Sequence, residues 1–220
     1  MFINYSIADQ LSFKNLRKGQ FVAEGSDLAN RLIGGHIIQL MKTISYKRIA
    51  DIGCGNGNRL INFCEISPNS KGIGIEIDSN ASILATKNVK NKGFHDRIVI
   101  STEDILRTQK VYQDIDTVTC FMMLHDIFGA SKEENMLSVL LKKFPKARQF
   151  IFADTALSNP NSNYSDRVFT SGFELAHSMQ EQKLFLLEEY LNEFKACNLH
   201  LEKHINLPIP NTHLFFLVRN

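Results

Sequence analysis

Three glycines at alternate positions, set between an apolar run and an amphipathic one, constrain this chain more than any other feature. The stretch is Arg48-Ile49-Ala50-Asp51-Ile52-Gly53-Cys54-Gly55-Asn56-Gly57-Asn58, and Arg59-Leu60-Ile61-Asn62-Phe63-Cys64 follows it. Apolar residues lead into Asp51, the glycines permit positive φ and a close approach to bare backbone, and the residues from Arg59 onward read as a helix start. The pattern predicts strand, tight turn, helix. Free N–H groups in the first turn of such a helix face whatever occupies the turn, which makes the turn a candidate ligand cradle. A tight connection with no ligand would use the same residues. A second strand, Lys71-Gly72-Ile73-Gly74-Ile75-Glu76-Ile77-Asp78, adds Glu76 at a distance suited to accepting hydrogen bonds from a ribose diol.

At Asp51, Gly53, Gly55 and Gly57 the sequence resembles the class I S-adenosylmethionine-dependent methyltransferases. Their first motif is an acid followed by Gly-x-Gly-x-Gly, not the Gly-x-Gly-x-x-Gly of nicotinamide enzymes. The latter spacing presents a helix N-terminus to a pyrophosphate. S-adenosylmethionine has no phosphate and carries a sulfonium and an amino acid moiety; Asp51 suits its ammonium and would repel a pyrophosphate. The resemblance runs from about Ile44 to the C-terminus. It implies a doubly wound α/β fold: a mostly parallel seven-stranded sheet, a C-terminal antiparallel β-hairpin and an N-terminal helical cap. It also implies a cofactor site along Asp51, Gly53, Cys54, Gly55, Gly57, Glu76, Ile77, Asp104, Ile105, Cys120 and Phe121. In the resembled family an acid after the third strand, here Arg97 to Ser101, hydrogen-bonds the adenine amino group. Asp104 is the better match and Glu103 the alternative, while a plain helix cap would also place an acid here.

The 220 residues suit one domain, 1–220, with residues 1–43 as N-terminal cap or lid helices and 44–220 as the core. Twenty-five Lys and Arg against 23 Asp and Glu leave no basic excess. That argues against a nucleic-acid footprint and for a small-molecule acceptor. Nucleobase methyltransferases are also disfavoured by the fourth strand, which has neither Asn/Asp-Pro-Pro-aromatic nor Pro-Cys, since Cys120 lies between Thr119 and Phe121. The four cysteines, Cys54, Cys64, Cys120 and Cys197, show no Cys-x-x-Cys, so neither a metal site nor a disulfide is expected. No leader and no membrane-length apolar run is read, so no membrane partner is expected and the chain is placed in the cytoplasm. A homodimer is left open.

In chain order, residues 1–20 read either as a packed helix or as a lid, and Phe21 to Lys42 as a helix in which His36 is structural or rims the pocket. Ser79-Asn80-Ala81-Ser82 reads as the cap of a helix to about Lys90. The fourth strand, from Asp114, ends in Leu124-His125-Asp126, similar to the Leu-His-His or Leu-His-Glu that closes this strand in many small-molecule methyltransferases. His125 is a candidate base at the pocket lip, or simply a backbone-bonded residue at a helix start. Ser131-Lys132-Glu133-Glu134 has the form of a capping box and predicts a helix from about Lys132 to Lys143. After a fifth strand, Gln149 to Asp154, comes a long connection of about 155–180, which in the resembled family builds the substrate pocket. Within it Phe173 to His177 reads as a helix that could project His177 inward as a second candidate base, or bury it as a core residue. Gln182 to Cys197 is a final amphipathic helix, and Leu199 to Leu207 and Thr212 to Arg219 a hairpin.

The expected activity is S-adenosylmethionine-dependent O-methylation of a secondary metabolite or similar small molecule. N-methylation of a small amine or peptide, and S-adenosylmethionine binding without methylation, are the alternatives.

Overall fold

Ala50, Ile52, Val118, Cys120, Phe150 and Phe152 are buried, as are their neighbours Ile49, Phe121 and Ile151 on the other side of the same strands. Strands apolar on both sides must be covered on both faces, which is the condition for a parallel sheet wound with helices. The computed structural model describes residues 32–131, 133–158, 174, 175, 177, 178 and 182–219. The elements are α1 (32–41), β1 (Arg48–Ile52), α2 (Asn58–Ile66), β2 (Lys71–Glu76), α3 (Ser79–Asn91), β3 (Ile98–Thr102) and β4 (Thr117–Phe121). They continue with α4 (Leu124–Gly129), α5 (Met136–Lys142), β5 (Gln149–Thr155), α6 (Leu187–Ala196), β6 (Leu199–Asn206) and β7 (Thr212–Arg219).

The seven strands form one sheet in the order β3-β2-β1-β4-β5-β7-β6. The first five run parallel, and β7 enters antiparallel between β5 and β6. This is the doubly wound architecture with a C-terminal hairpin expected from the motif. One core, with Phe150, Phe152, Tyr190, Phe194 and Phe215, fills the face under α5 and α6. The other, with Ile33, Ile37, Met41, Phe63 and Phe121, fills the face under α1 and α2. The strand order reverses between β1 and β4, and ligands of open α/β sheets bind in that crevice.

Local boundaries differ from the expectation at four places. The fourth strand, expected from Asp114 through Leu124-His125-Asp126, is confined to Thr117–Phe121, because the chain turns at Met122 with φ 60° and Leu124, His125 and Asp126 open α4 instead. The helix expected from Lys132 begins at Met136, because Asn135 accepts from the Ser138 N–H at 2.8 Å, while Ser131 only closes a turn onto Glu133 and Glu134. The helix expected from Gln182 begins at Leu187, where Glu189 reaches back to the Leu186 N–H at 2.7 Å. The cap of α3 is Asp78, accepting from the Ala81 N–H at 2.8 Å, one residue ahead of the serine expected to do so. The expected lid, residues 1–20, the first part of the helix expected from Phe21, and most of the 155–180 connection lie outside the described residues.

Candidate functional site

The glycine turn is built as the sequence requires. Gly53, Gly55 and Gly57 have φ of 65°, 56° and 76°, a region that costs other residues about 1–3 kcal/mol. A Cβ at Gly53 would fall 2.0 Å from Met123 Sδ, so that side chain would have to move to admit one. The turn is tied to β2: the Gly53 N–H donates to the Ile75 carbonyl at 2.8 Å, and the Gly55 N–H donates to Glu76 Oε2 at 2.9 Å.

Asp51 and Glu76 flank this turn, and a third acid, Asp104, follows β3. Asp51 is fully buried; its Oδ1 accepts from Thr119 Oγ1 at 2.7 Å, and its Oδ2 has no hydrogen-bond partner among the described residues. Burial pushes the Asp51 carboxyl above its ordinary pKa, opposed by the charge of Arg59 and by the Thr119 hydroxyl. Glu76, 8% exposed, accepts from Gly55 and, through Oε1, from the Asp78 N–H at 2.9 Å; burial raises its pKa too, against those backbone donors. Each carboxylate oxygen has a second lone pair to offer. Asp104 accepts from the Leu106 N–H at 2.9 Å and lies 3.3 Å from the exposed Arg107, so the capping geometry is present at this acid. Glu103 is bound into a surface cluster with Ser101, Lys110 and Tyr112 instead. There, burial is outweighed by those hydrogen bonds, and its pKa is held down to about 2.

Ile77 projects from the end of β2 with 66% of its surface exposed, while Ile105, Cys54, Cys120 and Phe121 are buried close to the strand ends. A buried carboxylate with one oxygen lacking a hydrogen-bond partner among the described residues, further acids at the ends of β2 and β3, and an exposed aliphatic side chain suit a ligand with an ammonium, a diol and an apolar ring. Acids crowding a turn do not suit a pyrophosphate.

His125 and His177 come together. Both are 1% exposed, and their ring centroids lie 4.9 Å apart, edge to face. The end of β4 turns through Met122, at φ 60°, into α4, which places His125 over the neighbouring strand β5. There Asp154 holds it twice: Oδ2 accepts the His125 backbone N–H at 2.8 Å, and the two oxygens stand 3.0 and 2.9 Å from Nδ1. A carboxylate at Nδ1 keeps the proton on that nitrogen and leaves Nε2 as the basic atom. Burial disfavours the imidazolium, but the Asp154 charge and hydrogen bond, with Asp126, outweigh it and leave the His125 pKa raised. His125 and Asp126 line a cavity of about 600 Å³ with Phe128, Gln182, Phe185 and Glu193, a size that suits a small organic molecule. Asp154 and Thr119 went unrecognised in the sequence as site residues. Asp154 was legible only as an acid at a strand end, 29 positions from the histidine it holds. His36 is exposed on α1.

Residues 45–147 match the family model described as a methyltransferase domain. The chain is 28% identical over 176 residues to the methyltransferase ungE' of Aspergillus campestris, covering 73% of this chain and 52% of that protein. It is 26% identical over 202 residues to the indolepyruvate C-methyltransferase of Streptomyces griseus, covering 90% of this chain and 60% of that one. Among solved structures it superposes on an O-methyltransferase family 2 protein from Planctomyces limnophilus, in complex with apigenin. That match has a TM-score of 0.74 at 14% identity, over 95% of this chain and 63% of the other. Residues 45–147 are thus similar to a methyltransferase domain, and the chain shares the fold of the O-methyltransferase family 2 protein. The chain spans between half and two thirds of the length of these relatives.

Proposed function

We propose that this chain binds S-adenosylmethionine in the glycine turn and methylates a hydroxyl on a small molecule held in the neighbouring cavity. The residues that hold the cofactor are those implied by the motif. Asp51 Oδ2 takes its ammonium, Glu76 its ribose diol, Asp104 its adenine amino group, and Ile77 packs against the ring, with Cys54, Ile105, Cys120 and Phe121 walling the site. Bound there, the cofactor supplies a methyl group activated by its sulfonium.

The observation that carries the reading is the buried His125–Asp154 pair at the cavity wall. A hydroxyl is a poor nucleophile until its proton leaves, and a positioned base contributes about 10²–10⁴-fold to such a step. His125 Nε2 accepts that proton while Nδ1–H stays on Asp154, and the carboxylate stabilises the imidazolium that results. His177 packs edge-on against His125, limits its rotation and keeps water from the pair. An amine that already carries a free lone pair at working pH needs no base, so the pair favours oxygen over such a nitrogen. A carbon acid beside a carbonyl needs the same base. The Streptomyces relative, named as a C-methyltransferase and aligned over 90% of this chain, makes this the second reading. A small-molecule acceptor and a cytoplasmic setting belong to the same proposal. Among the described residues, no helix is long and apolar enough to cross a membrane.

The test is turnover: conversion of S-adenosylmethionine to S-adenosylhomocysteine with panels of phenols, enolisable keto acids and amines. Methylation confined to amines would sink the reading, and so would calorimetry showing NAD bound in preference to S-adenosylhomocysteine.

A further inference from the structure

The C-terminal hairpin gathers a set of donors that the glycine turn and the cavity do not use. His204 and Asn206 are alternate residues of β6 and so share one of its sides, while Ile205 between them packs against the core on the other. On β7, His213 pairs in register with Asn206, and Phe215 with His204. Opposed and diagonal neighbours on one face of a sheet lie within reach of each other. His204 Nε2 stands 3.1 Å from His213 Nδ1, and His213 Nδ1 stands 3.0 Å from Asn206 Oδ1. Three donor atoms from two strands thus converge. His213 Nδ1 carries one hydrogen at most, and a single hydrogen cannot point well along both lines.

The surroundings hold these atoms in place. The His204 ring stacks on Phe215, with centroids 5.2 Å apart and planes 18° from parallel, and the His213 ring lies 6.0 Å from the same phenyl. The loop between the strands carries Pro208 and Pro210, whose rings fix φ, and it is closed by the Leu207 N–H donating to the Thr212 carbonyl at 2.8 Å. His213 is half-buried, while His204 and Asn206 are exposed, so the group is reachable from water. Two ligands held by Zn²⁺ at about 2.0–2.1 Å stand about 3.3 Å apart at the tetrahedral angle and about 2.9 Å apart at a right angle. Both separations in the hairpin fall between these limits. We propose that His204 Nε2, His213 Nδ1 and Asn206 Oδ1 form a site for a divalent transition-metal ion, Zn²⁺ or Cu²⁺ suiting two imidazoles and an amide carbonyl, with water completing the shell. Each ring stays neutral, its proton on the nitrogen that faces away from the ion. The ion fastens the edge strand β6 to β7. The cysteine spacing gave no reason to expect a metal, and none of these donors is a cysteine.

The test is calorimetric titration of the tag-free full chain with Zn²⁺ in a non-coordinating buffer near neutral pH. One tightly bound equivalent is expected, with a rise in Tm that EDTA reverses. His204→Ala, at an exposed position, should weaken that binding by about 10- to 100-fold, since losing a ligand costs no less than losing the outer-shell partner of one, and should abolish the rise in Tm. Asn206→Asp exchanges a neutral oxygen for a charged one and should tighten binding, a gain that no merely structural role of Asn206 produces. With Cu²⁺, which such donors hold more tightly than Zn²⁺, electron paramagnetic resonance should show coupling to two imidazole nitrogens in the wild type and to one in His204→Ala. Wild-type protein that binds no Zn²⁺ overturns the proposal. So does Zn²⁺ affinity or Cu²⁺ nitrogen coupling that is the same in wild type and His204→Ala, because the ion would then sit on other histidines.

Discussion

Replacing Asp154 by asparagine tests the catalytic reading where its error would be easiest to see. Asp154 is 1% exposed, and three N–H donors converge on its two oxygens: the His125 backbone at 2.8 Å, the Thr155 backbone at 2.8 Å, and His125 Nδ1 at 2.9–3.0 Å. An asparagine has one acceptor oxygen, and its NH₂ must face one of these donors. At least one buried N–H is then orphaned, at about 1–3 kcal/mol, and the remaining bonds lose their charge assistance, for a total of about 2–5 kcal/mol. A domain stable by about 5–15 kcal/mol survives that with a lowered Tm. Function changes more. Burial then acts on His125 with only the Asp126 charge left to oppose it, so its pKa falls, and Nδ1 is no longer fixed as the protonated nitrogen. Turnover is expected to drop by about 10²–10⁴-fold.

The assay is S-adenosylhomocysteine formation measured from about pH 5.5 to about pH 9.5. A base works neutral, so the wild-type rate rises with pH through the raised pKa of His125, above the ordinary 6.5. In Asp154→Asn the rise moves to lower pH while the plateau sinks. Stability moves with it. A histidine raised in the folded state adds stability that is full below about pH 6.5 and is lost as pH rises through the folded value, so this slope should shrink in the variant. A variant with the wild-type plateau and an unmoved pH limb would refute the role of the pair.

Glu76→Ala should weaken S-adenosylhomocysteine by about 1.5–3 kcal/mol in calorimetry; an unchanged dissociation constant would move the ribose contact elsewhere, Asp78 being next. Gly53→Ala should lower stability by about 1–3 kcal/mol for the positive φ alone, with more from the clash at Met123 Sδ, and chemical denaturation reads the difference. His213 is held down to about 4 by burial and then by the neighbouring His204. A depressed histidine contributes stability that is whole above pH 6.5 and is lost as pH falls through the folded value. His213→Gln should therefore flatten the loss of Tm between about pH 6.5 and pH 4, and an unaltered acid limb would remove His213 from that account.

The turn at Gly53 to Gly57 was legible because only glycine occupies three positive-φ positions in five residues without cost. Asp51 was legible for a related reason: an acid at the end of an apolar strand needs a purpose. His125 and His177 could be named singly but not as neighbours, since their contact crosses 52 positions and depends on how the 155–180 connection returns to α4. Asp154 needed the sheet order, because only the pairing of β4 with β5 puts it under His125. Ser131 and Asn135 both have cap chemistry, and local sequence does not choose between them. The contact of Asn135 with Glu193 of α6 favours the later start. Arg59 reads as an ordinary helical residue because the Phe121 ring it stacks on lies 62 positions away.

The antiparallel entry of β7 between β5 and β6 has a bearing on how the molecule is made. Asp154 and Thr155 are paired along one edge only by residues near position 212, and Thr155 shares a hydroxyl contact with Thr212 at 2.7 Å. The ribosome thus releases the glycine turn, the acids and His125 long before the strand that steadies the far side of the Asp154 carboxylate. Until then β5 presents a bare row of amides and carbonyls to any passing strand. A stop codon just ahead of Thr212 would remove no residue of the site, yet it would leave β5 in that unfinished condition for the life of the protein.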